Sequence, residues 1–156
     1  MSLASVNWYA IESAVRDMLR ADTTLEPTPD VVPVFIEEDF LHGLTDNGVA
    51  VVIYAERRTP HQDQTIGMGK RTRFLGKLSV WVRAYHVESM QAACALRDPA
   101  VGLVEGALMK DRSLGGTVAA SWLEGGDMLS ACNQQTGAYM ASAEVALMVD
   151  VAAVNP

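Results

Sequence analysis

Little in this chain belongs to the usual equipment of catalysis. Its 156 residues include only two cysteines, Cys94 and Cys132, far apart and without a CxxC pair. Two isolated cysteines give no disulfide framework, so both are expected to be buried as small hydrophobes, in a protein of a reducing compartment. The three histidines, His42, His61 and His86, lack HExxH or any other metal-ligand spacing. No serine stands in GxSxG, which excludes a nucleophile elbow. No apolar run approaches the roughly 20 residues that span a bilayer. No basic region followed by an apolar run opens the chain, so neither a membrane span nor a signal peptide is expected. Internal repeats and low-complexity tracts are also missing.

What is present fits one globular domain over residues 1–156, with 49% hydrophobic and 20% charged residues. The net charge is −7, and that acidic field opposes broad nucleic-acid binding. The charge is unevenly spread. Residues 56–73, ERRTPHQDQTIGMGKRTR, hold five of the twelve basic residues but two of the nineteen acids, giving +3 against −10 for the remainder.

Within this stretch Gly67-Met68-Gly69-Lys70 invites a phosphate-binding reading, which fails on spacing. A P-loop needs its first glycine at position 64 and a hydroxyl after the lysine, where the chain has Gln64 and Arg71. A GxGxxG fingerprint needs glycine at 72, where Thr72 stands. Single-strand binding by stacking wants aromatics among the basic residues, and the first, Phe74, comes only in the next strand. His86 with Glu88 reads as a solvated strand end rather than a base and its orienter. Glu37-Glu38-Asp39 reads as a solvated turn, because three adjacent acids in an extended chain point different ways. No catalytic residue, cofactor or metal is expected.

Hydrophobic period sets the elements. Residues 6–20 predict an amphipathic helix with Trp8, Ile11, Val15, Met18 and Leu19 inward and Glu12, Arg16, Asp17 and Arg20 outward, capped by Ser5 or Asn7. Pro27, Pro29 and Pro33 mark a connection into a short edge strand at 34–37. Asn47-Gly48 is a turn. Residues 49–56 predict a strand buried on both faces, and residues 74–86 a long strand with a core face and an amphipathic face. These strands should form a hairpin, with the basic stretch as a long loop of a kind that is usually functional or disordered. Residues 89–110 predict a helix interrupted at Asp98-Pro99. Strands follow at 117–124 and 138–154; residues 128–136 give no clear period. The expected fold is α+β: a two-layer arrangement with a mixed, mostly antiparallel sheet and two helices packed on one face.

The series as a whole resembles a family. The helix WYAIESAVRDML, the link PDVVPVFIE, the hairpin with a basic glycine-bearing loop, and the strand GKLSVWVRAYH come first. KDRSLGG at a helix end, TVAASWLEGG and TGAYMASAEVALMVDVAA follow. Across essentially the whole chain this is similar to the tail terminator, or tail completion, proteins of long-tailed bacteriophages and prophages.

The resemblance implies a non-enzymatic virion protein, assembled in the host cytoplasm, that forms a homo-oligomeric ring, typically a hexamer. The ring sits on the head-proximal end of the tail tube, stops tube polymerisation and meets the head completion protein. It also implies that residues 57–73 are a mobile assembly loop, with Arg57, Arg58, Gly67, Gly69, Lys70, Arg71 and Arg73 as its contact residues. Such a loop near the tube lumen would also pass the genomic DNA. Two alternatives stand beside it: another head–tail connector protein, and a small nucleic-acid-binding protein using the basic loop.

Overall fold

The computed structural model describes residues 5–22, 34–37, 48–60, 72–132 and 137–153. Two fifteen-residue strands form the centre of its sheet: β3 (Thr72–His86) and β6 (Tyr139–Ala153), antiparallel from Thr72 opposite Ala153 to His86 opposite Tyr139. On one side β3 pairs antiparallel with β2 (Gly48–Pro60), which pairs parallel with the short β1 (Val34–Ile36). On the other side β6 carries β4 (Ala120–Leu123) and β5 (Met128–Cys132), one after the other along the same edge. Glu124, Gly125 and Asp127 continue the backbone hydrogen bonds to β6 between them. The sheet is open, and its class is the expected α+β.

Alternation decides which face is buried. Val51 and Ile53, then Leu78, Val80 and Val82, then Val145, Leu147 and Val149 point to one side. There they meet α1 (Trp8–Ala21) through Ile11, Val15 and Leu19, and α2 (Met90–Leu108) through Val104 and Leu108. Each fully buried aliphatic side chain contributes about 2 kcal/mol, so this layer is the main source of stability. Asn7 caps α1 by accepting the Ala10 N–H at 3.0 Å, and Ser89 caps α2 by accepting the Ala92 N–H at 3.0 Å. Gly76 of β3 makes room for the first turn of α1. A Cβ there would fall inside van der Waals contact of the Trp8 ring and 2.9 Å from Val149 Cγ2.

Several expectations need correction. The helix does not break at Asp98-Pro99; α2 runs through Pro99. Both Pro99 and Ala95, whose carbonyl loses its partner, lie on the exposed side, so water can satisfy that carbonyl. The hairpin strands extend further than their hydrophobic runs, so residues 57–60 and 72–73 are strand, not loop. Cross-strand pairing carries the chain past the point where burial ends, because Arg57–Pro60 pair with β3 although exposed. Thr117 and Val118 are in the turn before β4, and the stretch without a clear period supplies β5. Cys94 is half-buried, but Cys132 is exposed, because β5 is exposed along its whole length. Finally, Glu12 is buried in α1 rather than solvated.

Candidate assembly surface

Of the seven residues that the resemblance singles out, Gly67, Gly69, Lys70 and Arg71 lie outside the described residues. Arg57 and Arg58 are exposed on the outer half of β2, past a β-bulge between Ala55 and Arg57. Among the described residues, β1 covers β2 only at Val51–Ile53, so Arg57–Pro60 stand at the sheet edge. The Arg58 guanidinium lies 5.8 Å from the Phe74 ring centroid, an ion–quadrupole contact that leaves its N–H groups available. Arg73 is engaged within the fold. It forms a two-pronged ion pair with Asp150 across β3 and β6, with Nε 3.1 Å from Oδ1.

The face of the sheet away from the helices is held by polar cross-strand pairs that alternation cannot reveal. Ser79 sits between the carboxylates of Glu56 and Glu144, 2.7 Å from Glu144 Oε2, and Lys77 Nζ reaches Glu56 at 3.2 Å and Glu144 at 3.5 Å. The hydroxyl has one proton for two acceptors, and the Lys77 ammonium supplies the further donors that the pair of side chains needs. The Ser79 hydroxyl, with Lys77, holds Glu56 below its ordinary pKa. Burial alone would lower the Lys77 pKa, but its bonds and charges from Glu56 and Glu144 outweigh that and raise it. Lys77→Met should cost about 2 kcal/mol, because the Glu144 carboxylate is left buried without its cation. Urea denaturation at pH 7 measures this; an unchanged midpoint would show that the network carries no stability.

A cavity of about 420 Å³ lies beside Arg57 and Arg58, lined also by Trp8, Tyr9, Glu12, Glu37, Ala55 and Glu56. Glu12 enters it from α1 and Glu37 from the end of β1. Burial, then the neighbouring Glu37 charge, pushes the Glu12 carboxyl up to about 7, while the Ala55 N–H pulls the other way. This acid pair went unseen in the sequence because 25 residues separate its members.

The other chemical candidates resolve simply. The bond joining Glu88 to His86 runs from the Glu88 backbone N–H to His86 Nδ1 at 3.1 Å, a turn at the strand end. Among the described residues no group of His, Cys, Asp and Glu is arranged to hold a metal ion. Among the same residues no helix is long and apolar enough to cross a membrane. No family model matches the chain, and no curated protein matches it at significant similarity.

Proposed function

We propose that this chain is a tail terminator of a long-tailed phage or prophage: a structural protein that forms a ring on the head-proximal end of the tail tube. The ring ends tube polymerisation and offers the interface for the head completion protein. The observation that carries this reading is the segregation of charge onto one exposed strand end. Arg57 and Arg58 project from the outer half of β2 on a chain whose other residues are strongly acidic. A basic strand end on an acidic body favours contact with an acidic protein surface, and a neighbouring copy is such a surface. Heterologous contacts of this kind close into rings when the rotation per copy divides a full turn. The whole-chain resemblance, from WYAIESAVRDML to the final long strand, points to the same role.

The test is made in particles. A phage lacking the protein should grow overlong tails that do not join heads, and Arg71→Glu should reproduce part of that defect with the protein folded. Arg71 is the better position than Arg73, whose ion pair with Asp150 makes its loss a folding defect too. Normal tail length without the protein would refute the terminator reading and favour another connector role. A nucleic-acid-binding role instead predicts a gel shift that weakens steeply with salt.

A further inference from the structure

Edge strand β5 stands out for lacking what normally protects an edge. Its sequence, MLSAC, has no lysine, proline or other charge, and all five residues are exposed. Met128 is 61% and Leu129 53% exposed, two of the four most exposed large hydrophobic residues described. The Asp127 carbonyl accepts the Glu144 N–H at 2.8 Å. Antiparallel alternation from that bond turns the backbone N–H and C=O of Met128, Ser130 and Cys132 away from β6. Beside the strand lies a cavity of about 290 Å³, with Val101, Leu123 and Met128 in its lining and Asp98 and Glu105 among its acids. Glu124 and Asp127 add two exposed carboxylates to the same border.

Resting on the ring reading above, we propose that β5 is the docking strand for the Arg57–Pro60 end of β2 in a second copy of this chain. Three features choose that occupant. The two segments lie on opposite edges of one sheet, so copies can join head to tail. Their charges are opposite, Arg57 and Arg58 against Glu105, Glu124 and Asp127. Their directions fit as well. β2 and β6 run the same way, each antiparallel to β3, and β5 runs against β6. A like-oriented neighbour therefore brings its β2 antiparallel to β5. Within one copy β5 lies level with residues 139–143 of β6, whereas Arg57–Pro60 lie level with residues 148–151. Successive copies are then staggered along the strands by about eight residues, and stagger is what a sheet needs to close on itself.

Sedimentation velocity over a range of concentrations tests this with charge-reversed chains. The native chain should form a multimer, while Arg57→Glu/Arg58→Glu and Glu105→Lys/Asp127→Lys should each sediment as folded monomers. Mixing the two variants should restore the multimer, because every contact in an alternating ring again joins opposite charges. Ser130→Pro should also give a monomer, since the N–H it removes points away from β6. A native multimer that both reversals and Ser130→Pro leave intact would overturn the β5 contact while leaving the ring reading in place. Monomer at every concentration would overturn the docking outright, and the tail-length phenotype would then decide the terminator reading separately. Two monomeric variants that fail to associate on mixing would also overturn it.

Discussion

Glu12→Gln should leave stability unchanged near pH 4.5 and raise it by about 3 kcal/mol above pH 7. The sign follows from the proton count. The Glu12 carboxyl titrates near 4.5 when unfolded and about 7 when folded, so between those values the native state holds the extra proton. Stability therefore falls as pH rises through that window, and the loss is complete above the folded value. Glutamine mimics the protonated acid: its carbonyl still accepts from the Ala55 N–H, and its amide faces Glu37 without charge repulsion. For a chain of this size the gain corresponds to roughly 10 °C in Tm at pH 8. Thermal melts of both proteins from pH 4.5 to pH 8.5 measure the difference directly. Parallel curves would mean that Glu12 is ionised throughout and that burial is not what governs it.

Gly76→Val should cost about 4 kcal/mol, the largest effect expected of a single substitution here. No unusual backbone angle is needed to explain Gly76. The reason is contact: the Trp8 ring lies against its Cα, and Val149 closes the other side. A valine side chain must expel the indole, which loses aromatic burial and detaches the first turn of α1 from the sheet. The cost should shrink in a Trp8→Ala background, leaving only the Val149 contact, since residues 8 and 76 share one volume and their effects are then not additive. Urea denaturation of the four proteins in the cycle provides the coupling energy. Additive costs would show that Trp8 does not occupy the space above Gly76.

Both sites show where sequence reading succeeds and where it stops. The period of Ile11, Val15 and Leu19 located α1, and the alternation in residues 74–86 and 138–154 located the two central strands. On the helical wheel residue 12 falls just past Leu19, at the margin of the apolar stripe rather than opposite it. Its chemical type argued for solvent, and position prevailed because Glu37 and Ala55, distant in sequence, form a niche for a neutral carboxyl. Pro99 argued for a break that exposure made affordable. β5 had no readable period because an edge strand exposed on both faces imposes none. The basic stretch was visible from charge alone. That Arg73 answers Asp150 while Arg57 and Arg58 stay at the edge depends on strand register, which composition does not contain.

Ring formation is tested most directly by negative-stain imaging of the purified protein at the concentration where sedimentation shows assembly. A ring-forming terminator should show closed rings of one size with a central hole as wide as the bore of a tail tube. Uniform monomers, or two-fold dimers without a hole, would contradict it.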